Sequence, residues 1–282
     1  MNRLILLMLL ATAQFSFGQD LLSLLNDENA EPKVVSSLFK DSRVVNAQSS
    51  KQSSKGEFKF LIQHRFGTLN SGFYNLWGLD NSQVRMGLDY GVSDRIAVSV
   101  GRSSTNKQYD ASVKGKLLNQ SDKSPVVLSV FSALFLAHPS ESLRQQADYE
   151  FLNQLSFANQ LIIARKFSSK FSAIVLPTHV HLNTFAFGTS ADPLFLGLGG
   201  RYKLSKRVTV NGEYFYALSE MPLTHQNMLS LGFDIETGGH VFSLHLSNSR
   251  GMNEHVFLTQ TSGDFFEGDI YFGFNISRVF EW

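Results

Sequence analysis

One short run of residues near the C-terminus has the composition of a nucleophilic site. His245, Leu246, Ser247 and Asn248 follow one another directly. A histidine and a serine two positions apart share one face of a β-strand, as a general base and its nucleophile need. No third group stands at a spacing that orients the imidazole. We therefore expect polar strand residues followed by a loop rather than a catalytic site.

The order His-x-Ser-Asn resembles the pattern of outer-membrane lipid hydrolases, where it lies on the outer wall within reach of lipid. Here Phe242, Leu244 and Leu246 form the apolar row of the same strand. His245 and Ser247 then face the opposite side, away from lipid. A lipid hydrolase using His245, Ser247 and Asn248 remains an alternative function.

Two further histidines, His179 and His181, also share a strand face. A two-histidine metal site needs more ligands, and the spacing indicates none. We expect neither a metal site nor a cofactor. The sequence contains no cysteine, which excludes disulfides and a lipoprotein anchor.

Charged residues of both signs recur on the polar faces of the predicted strands. The predicted inward-facing set is Lys59, Arg65, Arg85, Asp89, Asp110, Lys114, Arg201, Glu213, Asp234, Glu236 and His245. These side chains line either a pore that selects its permeants by charge or a filled interior in which opposite charges pair. The sequence leaves both possibilities open.

The last strand determines the fold class. Ile270, Phe272, Phe274 and Ile276 alternate with polar residues, and the row continues to Phe280 and Trp282. Such an apolar row on a terminal edge strand invites aggregation in a soluble protein. In a membrane barrel it faces lipid and has no free edge. The aromatic end, Phe280 and Trp282, resembles the C-terminal assembly signal of bacterial outer-membrane barrels.

The same period-two pattern predicts twelve strands from residue 57 onward. Their approximate bounds are 57–66, 83–92, 95–103, 107–117, 125–136, 152–166, 170–180, 193–203, 207–217, 228–236, 240–248 and 268–280. Tight hairpins follow the even-numbered strands except the last, and the other connections are mostly long. This asymmetry is typical of outer-membrane barrels, with the turns and both chain ends in the periplasm. A soluble periplasmic β-sandwich is the alternative fold.

The N-terminal part divides into two segments. Residues 1–18 have a positive start, a short apolar stretch and small residues before the expected cut, which predicts a cleaved signal peptide. Residues 19–56 are expected to form a short periplasmic arm and linker. Residues 57–282 are then an all-β, transmembrane antiparallel up-and-down barrel.

Several motifs together resemble a known family. They are His64-Arg65-Phe66-Gly67, the run from Gly87 to Arg95, the run from Gly101 to Ser104, the run from Asn248 to Met252, and the run from Phe272 to Arg278. In this order and spacing they resemble a Bacteroidota outer-membrane β-barrel family of unknown function, numbered 5777. The resemblance implies a fold and a location in the outer membrane, but no activity and no catalytic residues.

The expected function is passive: a narrow channel, or a structural or binding barrel, with an unknown permeant. The expected partners are outer-membrane lipid, the barrel-assembly machinery and small polar solutes. A formal net charge of +1 gives no indication of nucleic-acid binding.

Overall fold

Twelve antiparallel strands form a closed barrel in this computed structural model, which describes residues 34–138, 141–145, 149–184 and 190–280. The strands are β1 (Phe58–Thr68), β2 (Ser82–Ser93), β3 (Ile96–Ser103), β4 (Tyr109–Leu118), β5 (Val127–Leu136), β6 (Leu155–Lys166), β7 (Phe171–Leu182), β8 (Leu194–Lys203), β9 (Val208–Ala217), β10 (Met228–Thr237), β11 (His240–Ser247) and β12 (Tyr271–Phe280). Each pairs with its neighbours in sequence. The predicted fold and strand number are confirmed, and the soluble sandwich is wrong.

The barrel closes where β12 pairs with β1. The register runs from Phe58 opposite Phe280 to Thr68 opposite Tyr271. The terminal strand therefore has a partner on both sides, which removes the free edge that its apolar row would otherwise expose. The predicted signal peptide and Trp282 lie outside the described residues.

The two ends of the barrel differ. The end with the tight hairpins, here called the turn end, also holds the start of β1 and the end of β12. The opposite end, here called the loop end, carries two short helices, α1 (Glu141–Arg144) and α2 (Glu254–Thr259). It also carries the 3-10 segments Leu69–Ser71, Phe73–Gly78, Thr105–Lys107 and Phe151–Gln154. No helix in the described part of the chain is long and apolar enough to cross a membrane.

Two segments fill the interior of the barrel. The first, here called the plug, is Leu38–Ser53, and the second, here called the inward loop, is Asn248–Thr261 with α2. The plug forms a small hairpin in which Arg43 bridges to Gln48. Most of both segments is buried, so much of the predicted periplasmic arm and linker lies within the barrel.

The inner wall has a polar half and an apolar half. The polar half is made mainly by β1 to β4 and β9 to β12. On β5 to β8 the buried side chains are mostly apolar, among them Phe131, Phe135, Ile162, Leu176 and Phe195. They form one hydrophobic cluster with apolar side chains of the plug and of α2. The inner face is therefore polar on one half of the wall only, whereas the sequence indicated inward rows that are polar and hold charges of both signs.

Candidate functional site

The tip of the plug is bound by a single carboxylate of the wall. Glu213 on β9 is buried, and its oxygens accept hydrogen bonds from three consecutive backbone N–H groups of the plug. The N···O distances are 3.1 Å from Val45, 2.8 Å from Asn46 and 3.0 Å from Ala47. Hydrogen bonds to a charged acceptor are stronger than neutral ones. One wall residue therefore fixes the position of the whole turn.

Side chains from the seam between β1 and β12 bind the same turn from the other side. Asn275 Nδ2 donates to the carbonyl oxygen of Val45 at 2.9 Å. Arg65 Nη2 donates to Asn46 Oδ1 at 2.5 Å, and Asn46 Nδ2 donates to Ser230 Oγ at 3.0 Å. The plug turn is therefore clamped between β9, β10, β12 and β1.

Closer to the turn end, ionic contacts bind the plug to β1 and β2. Lys59 Nζ lies 3.0 Å from Asp41 Oδ1 of the plug and 2.8 Å from Asp89 Oδ2 of the wall. Lys59 also contacts Ser42. Burial alone would raise the pKa of Asp41, but the attraction of Lys59 and hydrogen bonds hold that pKa below its ordinary value. The Asp41 carboxylate is therefore charged at neutral pH.

Two more wall cations bind backbone carbonyls of the plug region. Lys114 Nζ lies 3.2 Å from the carbonyl oxygen of Ser49 and 3.3 Å from that of Lys51. Arg201 Nη1 lies 2.6 Å from the carbonyl oxygen of Leu38. Lysine and arginine can only donate, so these backbone carbonyl oxygens serve as their acceptors.

The inward loop meets the plug inside the barrel. Glu254, the first residue of α2, accepts hydrogen bonds from Arg43 Nη1 at 2.6 Å and from Gln48 Nε2 at 2.9 Å. The Asn253 side chain caps this helix by accepting from the N–H of Val256. A segment that starts at the turn end is thereby bonded to a segment that starts at the loop end.

The predicted lumen-lining residues all belong to the inner face. Several pair with each other: Arg85 Nε lies 2.9 Å from Asp110 Oδ2, and Lys59 pairs with Asp89. Others bind the plug, as Glu213 does, and Glu236 pairs with Lys40. The arrangement is that of a filled interior in which wall charges are matched by protein groups.

His245 is buried in the same wall. It stands between Gly232 and Gly273 on the flanking strands. A Cβ at Gly273 would lie 2.6 Å from His245 Nε2 and 2.8 Å from Arg65 Cδ, so only glycine leaves room for both side chains. Neither ring nitrogen of His245 has a hydrogen-bond partner in the described part of the chain.

The hydrolase alternative finds no support in this geometry. Ser247 accepts a hydrogen bond from Ser230 Oγ at 2.9 Å instead of pairing with His245. Asn248 Nδ2 donates to the carbonyl oxygen of Gly263 at 2.8 Å. His245 and Ser247 are buried on the inner face, where membrane lipid cannot reach them, and Asn248 is buried at the start of the inward loop.

The structure does bring a third group to the two rim histidines. Asp192 Oδ1 lies 3.1 Å from His179 Nε2 and 2.7 Å from His181 Nδ1. This is an exposed hydrogen-bonded cluster at the loop end. Within the described ranges, no three metal-ligating side chains are arranged to hold a metal ion.

Sequence reasoning missed the contacts made by two residues of the plug, Asp41 and Arg43, and by one residue of the inward loop, Glu254. Asp41, Arg43 and Glu254 lie in segments without strand periodicity, so no alternation showed which way they face. The one available signal was the presence of charged residues of both signs in a short arm and in a long loop.

The chain matches the family described as Membrane bound beta barrel domain (DUF5777) over residues 39–280. The chain belongs to this family. The matched region begins at Phe39, so it includes the plug hairpin as well as all twelve strands. The resemblance to this family is confirmed.

Outer-membrane porins and channels are among the solved structures to which this chain is similar. The NanC porin is 7% identical with a TM-score of 0.50, covering 80% of this chain and 99% of that chain. The KdgM porin in complex with disordered oligogalacturonate is 8% identical with a TM-score of 0.47, covering 80% and 99%. An outer membrane channel from Pseudomonas putida F1 is 10% identical with a TM-score of 0.45, covering 82% and 97%. No curated protein matches the chain.

At such identities the likeness concerns the fold alone. The family match makes the chain a membrane β-barrel domain, and its fold is similar to that of outer-membrane porins and channels.

Proposed function

We propose that this protein is a narrow outer-membrane channel for small polar solutes that its own plug keeps closed. The observation that carries the proposal is the binding of three backbone N–H groups of the plug by Glu213. Polar contacts of this kind can be exchanged for contacts with water when the plug leaves. An opened lumen then has a hydrated polar half along which solutes can pass.

The charges of the polar half set the expected selectivity. Arg65, Arg85 and Lys114 are balanced by Asp89, Asp110 and Glu213 on the same wall. Mixed signs at close range give weak preference for either anions or cations. We expect neutral or zwitterionic solutes of small size to pass best.

We also propose how the chain is processed, where it lies and which partners it has. Residues 1–18 are removed as a signal peptide, and both chain ends lie in the periplasm. The barrel-assembly machinery recognises Phe280 and Trp282, the surrounding partner is outer-membrane lipid, and nucleic acid is no partner. The source is a member of the Bacteroidota. The family resemblance and the hairpin parity support these assignments.

A cysteine reporter in the plug tests the proposal. The protein has no native cysteine, so Ala47→Cys, at a fully buried position, introduces a single thiol. In this background the Glu213→Ala variant should react with a maleimide much faster than the parent, because the plug has lost its anchor. The matched control is Glu220→Ala, which removes an exposed carboxylate at the loop end.

Planar-bilayer conductance of the same variants completes the experiment. The parent should be nearly silent and Glu213→Ala should conduct. A variant that reacts with maleimide yet stays silent would support a structural or binding barrel instead of a channel. A variant that gains no reactivity while remaining folded would contradict the role of Glu213.

A further inference from the structure

The two ends of the barrel carry opposite charge. The basic residues at the turn end are Lys40, Lys51, Lys55, Arg95, Lys116, Lys123, Arg165, Lys166, Lys170, Lys203, Lys206, Arg207 and Arg278. The acidic residues at that end are Glu57, Asp94, Asp122 and Glu236. The exposed loop end carries the acidic residues Asp80, Glu141, Glu150, Asp192, Glu220, Asp264, Glu267 and Asp269, against the basic residues Arg102, Lys107, Arg144 and Arg250. A net charge near zero therefore hides a strong separation of charge along the barrel axis.

The positive charge is concentrated on two adjacent hairpins. At the turn end, the β6–β7 and β8–β9 hairpins, with the strand ends next to each turn, carry six cations and no acidic residue: Arg165, Lys166, Lys170, Lys203, Lys206 and Arg207. This set is here called the basic collar. The backbone joins the two hairpins, since Lys203 N donates to the carbonyl oxygen of Lys170 at 2.8 Å. None of the six forms an ion pair with an acidic side chain among the residues described.

Aromatic rings accompany the basic collar on the outer wall. Phe167 and Phe171 stack with ring centroids 5.8 Å apart, and the Arg165 guanidinium lies 5.3 Å from the Phe167 centroid. Tyr202 on β8 stands directly opposite Phe171 on β7. Phe167 is 60% exposed, Phe171 41% and Tyr202 47%. Rings in this position mark the membrane boundary of a barrel.

We propose that the basic collar and these three rings form a binding site for an anionic phospholipid of the leaflet at the turn end. Lys166 Nζ donates to the carbonyl oxygen of Ser36, so the exposed cations of the collar donate the hydrogen bonds to the headgroup phosphate. The rings pack against the glycerol and the first acyl carbons. Clusters of lysine and arginine at a membrane boundary bind anionic headgroups in this way. The rings distinguish a lipid from free phosphate or an acidic protein, because those partners have no acyl chain to cover them.

The test compares lipid retention between two triple variants of the full-length protein. The collar variant loses three exposed charges of the basic collar through the substitutions Arg165→Gln, Lys170→Gln and Arg207→Gln. The control variant carries Arg102→Gln, Lys107→Gln and Arg144→Gln, which removes as much charge from the loop end. Each protein is reconstituted in nanodiscs of phosphatidylethanolamine with a minor fraction of phosphatidylglycerol, and the retained lipid is counted by native mass spectrometry.

The parent and the loop-end control should retain phosphatidylglycerol in excess over its share of the nanodisc lipid. This enrichment should be at least about tenfold lower in the collar variant. Added salt should weaken retention. A third variant with Arg165→Lys and Arg207→Lys should keep most of the enrichment. Heat-modifiable migration on a gel verifies that every variant forms a barrel.

Three results would overturn the assignment. Equal enrichment in the collar variant would show that the cations do not select the lipid. Displacement of the lipid by inorganic phosphate at equal concentration would show that the rings contribute nothing. Cation-dependent binding of polyglutamate, in the absence of lipid selectivity, would assign the collar to an acidic protein.

Discussion

Removing the charge of Glu254 should loosen the plug from the loop side. In the folded protein one Glu254 oxygen accepts two hydrogen bonds, from Arg43 at 2.6 Å and from Gln48 at 2.9 Å. The Arg43 and Glu254 side chains are only 9% and 1% exposed. The variant Glu254→Gln keeps the size of the side chain but leaves the Arg43 guanidinium buried without a countercharge.

The expected cost follows from this burial. Breaking a buried ion pair by removing one partner destabilises by about 3–5 kcal/mol. Arg43 Nη1 retains the carbonyl oxygen of Asn46 as an acceptor at 3.0 Å, so we take the lower end, about 3 kcal/mol. Because 1.4 kcal/mol corresponds to a factor of ten, the population with the plug displaced should rise about a hundredfold.

The Ala47→Cys reporter measures this population. When plug exchange is faster than labelling, the maleimide rate is proportional to the displaced fraction, so Glu254→Gln should react about a hundredfold faster than the parent. The double variant Arg43→Gln with Glu254→Gln leaves no unpaired charge and should return to within about tenfold of the parent rate. An unchanged rate in Glu254→Gln, or a double variant as fast as the single one, would refute the reasoning.

Three other predictions concern the loop, the candidate hydrolase residues and the last strand. Burial lowers the pKa of His255 from 6.5 to about 4. Between these two pH values the released loop binds a proton on His255 that the buried loop does not bind. Protection of α2 from hydrogen exchange should therefore be greatest above pH 6.5 and fall as the pH drops towards 4. His255→Gln should lose that dependence. In an assay of fatty acid released from phospholipid, the variants His245→Ala and Ser247→Ala should not differ from the parent. Deleting Phe280–Trp282 should lower the yield of heat-modifiable barrel, because Phe280 pairs with Phe58 at the closing seam; a normal yield would count against its role in assembly.

The barrel was predictable from the sequence because a membrane fixes both strand length and alternation. Lipid requires an apolar side chain at most second positions, and β11 shows this row from Phe242 to Leu246 and β12 from Phe272 to Ile276. Tight turns such as the two residues between β2 and β3 indicated which strands are neighbours, while the sequence left the exact register open. Strand ends differ from the predicted bounds by a few residues at most, since local turn geometry decides them.

The filling of the lumen was not predictable in the same way. Contacts such as those of Arg43 and Gln48 with Glu254 join residues about two hundred positions apart in irregular segments. Periodicity carries no information about such segments, and a charged residue there is compatible with solvent as well as with burial. Glu213 was recognised as inward-facing, but its three backbone partners follow only from the shape of the plug turn.

One feature of the sequence nevertheless contained the missing information. On β5, Val127, Phe131 and Phe135 alternate with Leu128, Val130 and Leu134, so both faces of the strand are apolar. One face of a barrel strand meets lipid, and an apolar face towards a water-filled lumen would lose the free energy of burial, about 25 cal/mol per Å². A strand that is apolar on both faces, in a barrel whose outer face meets lipid, therefore requires protein inside. The apolar residues of the plug and α2 are that protein, and their removal should expose this wall to water and make the opened barrel less stable than the closed one.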